Sequence, residues 1–180
     1  MKTVTTVCLV LLAVASMAAA DTLSIPLGTS TCITNGARSR LLVKPVLPAS
    51  VAGARIDFAM LVFPGLQIPD SLDSMGEVTI EVHSVTTPWL AGCSWISPWQ
   101  TPGGDYDPAW KSVFTLLPGD ARPFRMEVTR LVTSWQNGSD LGLIFMRPGY
   151  EGGGFGGEGA LLHKAIGTAR LKLWLTHVTP

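Results

Sequence analysis

Short runs in which apolar and polar side chains alternate constrain the fold of this chain more than any other feature. The clearest run covers residues 77–85, in which Val78, Ile80 and Val82 share one side and Glu81 and His83 the other. A period of two with β-branched residues on one side is typical of a half-buried strand. Stronger runs of this kind lie at 40–46, 55–63, 124–128, 141–146 and 169–178, and weaker ones at 22–27, 112–117 and 160–163.

Two of these runs predict their own orientation in the sheets. In 55–63, Ile56, Phe58, Met60 and Val62 fall on one side and further apolar residues fall on the other. A strand that is apolar on both sides is typical of a central position that is covered on both faces. In 169–178, the alternation predicts that Leu171, Leu173 and Leu175 point inward, with Lys172 and Trp174 outward.

The period changes after residue 128. Thr129 is a residue type that caps helices, and Leu131, Val132 and Trp135 fall on one side of a helical turn. We therefore expect one short helical turn near 129–136. Eight or more short strands with frequent turn residues favour a sandwich or barrel. For this length we predict an all-β fold, an antiparallel β-sandwich of jelly-roll type.

The first twenty residues read as a secretory signal. Lys2 precedes an apolar run at 7–15, and Ala18-Ala19-Ala20 offers a small-residue cleavage site before Asp21. The alternative, an uncleaved membrane anchor, is less favoured because the run is shorter than the roughly 20 residues that a spanning helix needs. We expect residues 1–20 to be a signal peptide and 21–180 a single domain at the cell surface or outside the cell.

The predicted location outside the cytoplasm determines how the cysteines and one glycosylation sequon are interpreted. Without Cys8, the remaining pair is Cys32 and Cys93, which an oxidising compartment favours as a disulfide. Two free thiols or half of a metal site are the alternatives. Asn137 begins an Asn-Gly-Ser sequon, which also reads as a simple Asn-Gly turn.

The charge balance argues against some partners. Loss of Lys2 leaves twelve basic against thirteen acidic side chains, a formal net charge of −1. Nucleic acids and anionic membrane surfaces favour a clear basic excess. We therefore expect neither a nucleic-acid partner nor binding to an anionic membrane surface. We also expect no membrane insertion, because no later segment is long and apolar enough to span a bilayer.

Several segments together resemble the DNRLRE domain family. Its opening resembles Arg40-Leu41-Leu42 with the stretches at 47–49 and 54–61. Its paired tryptophans resemble Trp89 and Ser94-Trp95, and its strand-to-helix stretch resembles 128–132 with Trp135. The resemblance implies an extracellular jelly-roll module, of a kind found in bacterial and archaeal surface proteins and beside polysaccharide-degrading enzymes. Some relatives are carbohydrate-binding modules. It also implies structural positions for Trp89, Trp95 and Trp135.

No catalytic residue is predicted. The three histidines lack a companion nucleophile motif. Glu77 and Glu81 share one side of a strand but lie about 13 Å apart there, beyond the usual spacing of a glycosidase pair. The glycine run at 152–157 contains Gly-x-Gly-x-x-Gly without the flanking strand and helix of a dinucleotide site, so we read it as a loop.

One loop could hold an ion. Asp105 and Asp107 follow Pro102-Gly103-Gly104, and carboxylates two residues apart could bind a structural calcium together with backbone carbonyls. Turn-forming aspartates are the alternative. No other cofactor is predicted.

The remaining aromatic residues are the best functional lead. No strand pattern requires Trp99, Tyr106 or Trp110, and Trp174 is predicted to point outward beside Lys172. Exposed aromatic rings with polar neighbours favour a binding patch, here for a sugar. The alternative is that these rings pack under loops. We therefore expect a secreted, non-catalytic module that binds a polysaccharide. A self-assembling extracellular structural protein that contacts copies of itself is the rival, and a small secreted hydrolase is a third possibility.

Overall fold

The computed structural model describes residues 19–35, 38–64, 78–117, 122–137, 140–147 and 168–177. Two layers of strands, connected by loops and short helical turns, form the framework of these ranges. The strands are β1 (Ala19–Pro26), β2 (Thr29–Thr34), β3 (Ser39–Lys44), β4 (Arg55–Phe63), β5 (Val78–Ser84), β6 (Ser112–Leu116), β7 (Phe124–Glu127), β8 (Leu143–Met146) and β9 (Arg170–His177). The helical elements are α1 (Thr129–Val132) and 3₁₀ turns at Ala49–Val51 and Thr133–Asn137. The predicted strand at 160–163 and the glycine run lie outside the described residues.

The topology confirms the predicted all-β sandwich. A four-stranded sheet has the order β1-β9-β4-β7, a five-stranded sheet has the order β2-β3-β8-β5-β6, and every pairing is antiparallel. Apart from the edge strand β2, the strands form four pairs, β1–β9, β3–β8, β4–β7 and β5–β6, which alternate between the sheets. This is the pattern of one long hairpin rolled into two layers, a jelly roll.

The main core fills the space between the sheets. Leu171, Leu173 and Leu175 of β9 all point into it, as the alternation predicted, and they are buried. Leu41, Val82 and Phe145 meet them from the five-stranded sheet; the neighbour pairs Leu41–Phe145 and Phe145–Val82 lie directly opposite on adjacent strands. The period-two pattern therefore predicted the inward residues of β9.

Strand β4 departs from its predicted orientation. A register shift between Ile56 and Phe58 marks a β-bulge. The extra residue turns Ile56 to the core side, where it opposes Leu175, while Phe58 faces outward opposite Trp174. The prediction that Ile56 and Phe58 share a face is therefore wrong, and the outward residues Phe58, Met60 and Val62 are only half-buried.

Strand β8 is covered on both faces. All four of its residues are buried. Leu143 and Phe145 point into the main core, while Ile144 and Met146 point to the outer face of the five-stranded sheet. A second apolar cluster covers that outer face; we call it the loop cluster. Its buried members are Ile33, Leu42, Val85, Trp89, Trp95, Trp99, Ile144 and Met146.

The predicted disulfide is absent, because both Cys32 and Cys93 are free thiols. Cys32 opposes Leu41 on the neighbouring strand and so points to the main-core side of the five-stranded sheet. Ile33, the next residue, points the other way into the loop cluster, and Cys93 packs against that cluster. Successive side chains of a strand point to opposite faces, so strand β2 lies between the two sulfurs. A disulfide would need their Cβ atoms within about 4.5 Å.

The helical turn lies where the change of period predicted it. Leu131, Val132 and Trp135 are buried in the main core. Val128, rather than Thr129, occupies the N-cap position. The Thr129 hydroxyl instead accepts a hydrogen bond from the backbone N–H of Ala59 (3.0 Å), which ties the turn to β4. In the described part of the chain, no helix has the length and apolar character needed to cross a membrane.

Candidate functional site

The long connection between β5 and β6 lies over the outer face of the five-stranded sheet and carries most of the predicted binding residues. Trp99 is 7% exposed and belongs to the loop cluster with Trp89 and Trp95. Its indole N–H donates to the carbonyl of Ser94 (2.8 Å), and that of Trp89 donates to the carbonyl of Leu141 (2.7 Å). Buried indoles normally have such a partner. The structure therefore places Trp99 inside the molecule, where its faces are not available to a ligand.

Asp105 organises this connection from within. Its carboxylate accepts hydrogen bonds from the Thr87 hydroxyl (2.6 Å) and from the backbone N–H groups of Gln100 and Thr101 (both 2.8 Å). Burial raises the pKa of Asp105, but the three donors together outweigh it, and the pKa lies below its ordinary value. The carboxylate is thus held in its charged form. Its hydrogen bonds join Thr87 at the start of the connection to Gln100 and Thr101 near its middle.

Asp107 has the role of a turn residue. Its Oδ1 accepts a hydrogen bond from the backbone N–H of Ala109 (2.8 Å). Both carboxylates considered for calcium are therefore engaged by the loop itself. Within the described ranges, no three His, Cys, Asp or Glu side chains converge as a metal-binding group.

His83 anchors the second half of the connection. Sequence alternation placed this residue outward, and it does lie on the outer face of the sheet, but the loop buries it. Its Nδ1 lies 3.1 Å from the carbonyl oxygen of Asp107 and 3.2 Å from that of Trp110. Since both neighbours are acceptors, Nδ1 carries the proton and donates. Nothing in the sequence pattern marked His83 as an anchor, because a polar residue on an outward face is ordinary.

Trp110 is the exposed aromatic residue of this region. Its side chain is 49% exposed, and the Arg130 guanidinium lies 4.3 Å from the ring centroid. Beside it, Lys111 forms an ion pair with Glu81, whose second oxygen lies 3.5 Å from His83 Nε2. The backbone of Trp110 is thus fixed by His83, and charged side chains lie around its indole.

Tyr106 also contacts His83. The two rings are 4.7 Å apart, and the Arg40 guanidinium lies 5.6 Å from the Tyr106 centroid. Tyr106 is half-buried and lines an open groove of about 680 Å³ that has mostly polar walls. Arg38, Arg40, Thr87, Gln100 and Thr101 are among its lining residues.

Gly103 leaves the space that the Arg40 guanidinium needs beside Tyr106. Its φ is +100°, and a Cβ there would lie 2.8 Å from Trp95 and 3.0 Å from the Arg40 guanidinium. The carbonyl of Gly103 accepts a hydrogen bond from Arg40 (2.8 Å). The turn therefore requires glycine.

Trp174 and Lys172 lie elsewhere, on the outer face of the four-stranded sheet. Trp174 stacks at a tilt against Phe58 of β4, with ring centroids 5.0 Å apart. Both rings and Lys172 are half-buried. The structure therefore divides the predicted binding residues between two sheets. Tyr106 and Trp110 both contact His83 on one sheet, and Trp174 and Lys172 are consecutive outward residues of β9 on the other.

An apolar groove that the sequence did not indicate opens at one end of the sandwich. Its volume is about 660 Å³. Val46 and Leu90, which are 74% and 82% exposed, lie at its walls together with the buried Trp89 and Trp135. Asp140 also lines this groove. Its burial raises its pKa to about 6, against the opposing effects of Lys44 and of the Gly142 N–H.

Asn137 is exposed at the end of the 3₁₀ turn Thr133–Asn137. The asparagine of the sequon is thus accessible, while the two residues after it lie outside the described ranges.

No family model matches this sequence, and no curated protein is significantly similar to it.

Proposed function

We propose that this protein is a secreted, non-catalytic carbohydrate-binding module that uses the outer face of its five-stranded sheet. The observation that carries the proposal is Trp110, a half-exposed indole on a fixed backbone with charged neighbours. A sugar ring has flat C–H faces that stack on such an aromatic surface, and hydrogen-bonding groups around it then set orientation.

The surroundings of Trp110 suit a ligand with many hydroxyl groups. Lys111 and Arg130 supply donors, and Glu81 supplies acceptors. The neighbouring groove extends this surface with the hydroxyl of Tyr106 and the amide of Gln100. A chain of several sugars that begins on Trp110 would find further polar partners along this groove.

A binding role agrees better with these contacts than a catalytic one. Glu81 lies between Lys111 and His83, and His83 Nδ1 is directed at two carbonyls. A general acid or base must reach a substrate proton, and these groups are directed at each other. Export through the leader at residues 1–20 and kinship with the DNRLRE family are parts of the same proposal. The strand, helical turn and strand at 124–146 within a jelly roll support that kinship.

The test is affinity electrophoresis of the mature protein in gels that contain soluble xyloglucan, mixed-linkage β-glucan, xylan, galactomannan or laminarin. We expect at least one polymer to retard the wild type. Trp110→Ala should abolish most of that retardation, whereas Trp110→Phe, which keeps an aromatic face, should retain part of it. Ile96→Ala, at an exposed apolar residue elsewhere in the same connection, is the matched control. Retardation of Trp110→Ala equal to that of the wild type would refute the site.

Self-assembly is the second candidate, and the apolar groove favours it. Val46 and Leu90 project from its walls, and exposed apolar residues that cluster are typical of protein contacts. Light scattering of the wild type and of Leu90→Asp tests this function. A concentration-dependent mass that Leu90→Asp reduces to that of one chain would support assembly, and a single-chain mass at every concentration would exclude it.

A further inference from the structure

We infer that the outer face of the four-stranded sheet is a second glycan-binding surface, so that one molecule holds two polysaccharide chains on opposite sides of the sandwich. The inference is drawn from the Phe58–Trp174 ring pair, which lies one row along the strands from the pair Lys172 and Ser24. The inference rests on the proposed function in one respect, since both surfaces are taken to bind glycans.

The strand register gives this surface its chemistry. Trp174 of β9 opposes Phe58 on one side and Thr22 of β1 on the other. The next row along the strands places Lys172 between Ser24 and Met60. Neighbouring strands are about 4.8 Å apart and successive outward residues about 6.8 Å apart. An aromatic pair therefore has hydroxyl and ammonium groups within the span of one or two sugar rings.

A third row and the sheet edge add further polar groups. Met60 opposes Glu127 of β7, and Val62 opposes Arg125. At the other end, the Thr176 hydroxyl donates to Asp57, which also accepts a hydrogen bond from Arg55 (2.7 Å). Aromatic rings in the middle with donors and acceptors of both charges around them match a polyhydroxylated chain better than an apolar protein surface.

The two surfaces cannot share one ligand site. Leu173 and Leu175, the sequence neighbours of Trp174, point into the main core, so Trp174 points away from it. His83, which anchors Trp110, points away from the main core on the other sheet, because it opposes Ile144 of the loop cluster. Packed sheets lie about 10 Å apart, with their outer faces directed oppositely. A glycan that lies on one face therefore leaves the other available.

Two surfaces on one rigid body make the protein a cross-linker. A long polymer offers many repeats, so each molecule would join two chains and each chain would carry many molecules. A short oligosaccharide cannot bridge, and it would report only the number of sites. Stoichiometry and cross-linking are therefore separate readouts of the same inference.

The stoichiometry experiment uses cellohexaose, xylohexaose and mannohexaose as probes in native mass spectrometry and titration calorimetry. We expect two bound hexaoses per wild-type chain with the best probe, one for Trp174→Ala and one for Trp110→Ala. Trp174→Phe should keep two, and Lys172→Ala should weaken the second site without loss of the first. Circular dichroism of each variant checks that the fold is intact, and Lys172→Ala serves if Trp174→Ala does not fold.

The cross-linking experiment mixes wild type or variant with soluble mixed-linkage β-glucan and follows turbidity across protein-to-polymer ratios. We expect a maximum at intermediate ratio for the wild type and none for either single variant. One bound hexaose in the wild type, unchanged in Trp174→Ala, would overturn the second surface and leave the proposed function standing. Binding that is lost in Trp174→Ala but unchanged in Trp110→Ala would overturn the assignment of the first site to Trp110. It would also overturn the inference that one molecule has two sites. No binding of any probe by the wild type would overturn the two proposals together.

Discussion

The main core and the loop cluster lie on opposite faces of the same five-stranded sheet, but different interactions hold them together. The main core consists of strand residues whose neighbours are set by register, such as Leu41, Phe145 and Val82. In the loop cluster, three tryptophans from a connection without regular strands pack on Ile33, Leu42 and Ile144. Their positions depend on specific hydrogen bonds, including those from the Trp89 and Trp99 indoles.

The difference shows why an aromatic-rich loop is ambiguous evidence for a binding site. Trp99 and Trp110 are eleven residues apart in the same connection, yet one is buried and the other half-exposed. A loop that must cover an apolar sheet face needs large side chains of its own. Trp110 differs because its backbone is anchored by His83 and its ring lies outside the cluster.

The largest expected effect is in the main core. Phe145→Ala removes a buried ring from the central strand β8, and we expect the free energy of unfolding to fall by about 3–5 kcal/mol. Urea unfolding followed by far-ultraviolet circular dichroism measures it. Phe145→Leu, which keeps most of the volume, should lose much less. A loss below 1 kcal/mol, roughly the level of an exposed site, would contradict the account of this core.

Trp99→Ala tests whether the loop cluster is a true second core. We expect a loss of about 3 kcal/mol, the lower end of the range for a buried aromatic residue. Circular dichroism and the fluorescence of the remaining tryptophans should give coincident transitions if both clusters unfold together. A fluorescence change that precedes the loss of strands would show that the loop opens independently. Trp99→Phe, which removes the indole hydrogen bond to Ser94 and part of the ring but keeps an aromatic side chain, should lose less than Trp99→Ala.

Asp105→Ala should remove the hydrogen bonds that join Thr87 to Gln100 and Thr101. We expect a loss of about 1 kcal/mol near pH 7, reduced from the usual value for charged hydrogen bonds because solvent screens this group. The pKa of Asp105 is lowered on folding. Its contribution is therefore complete above the ordinary aspartate pKa and is lost as the pH falls through the folded value.

Urea unfolding of wild type and Asp105→Ala between pH 2 and 7 would show this dependence. The two curves should differ most at neutral pH and converge in acid. Asp107→Ala is the matched control, since its carboxylate has one local hydrogen bond. A difference that grows in acid would contradict the assigned sign.

Trp110→Ala should have the smallest effect on stability. The ring is half-exposed, and its main contact is the Arg130 guanidinium, so we expect a loss of about 0.5 kcal/mol. Thermal unfolding compared with Trp99→Ala checks the contrast directly. A loss as large as that of Trp99→Ala would show that Trp110 is structural and would undermine its role in binding.

Much of the sandwich follows from the sequence by itself. Alternation predicted β5, β7 and β9, and the inward leucines of β9, because a strand repeats every two residues whatever its neighbours are. The mainly apolar runs at 55–63 and 141–146 predicted β4 and β8. The change of period after residue 128 likewise predicted the turn with Leu131, Val132 and Trp135 inside. These features depend on local geometry and on burial, which the order of apolar residues encodes directly.

Other features were decided only by the tertiary structure. The bulge that turned Ile56 inward, the separation of Cys32 from Cys93 by strand β2, and the burial of His83 each depend on which distant segment covers a face. The same is true of the aromatic residues, because Trp99, Trp110 and Trp174 carry no local pattern that distinguishes a ring under a loop from one on a surface. A strand's period predicts which side chains share a face, whereas packing between segments far apart in the chain determines what that face meets.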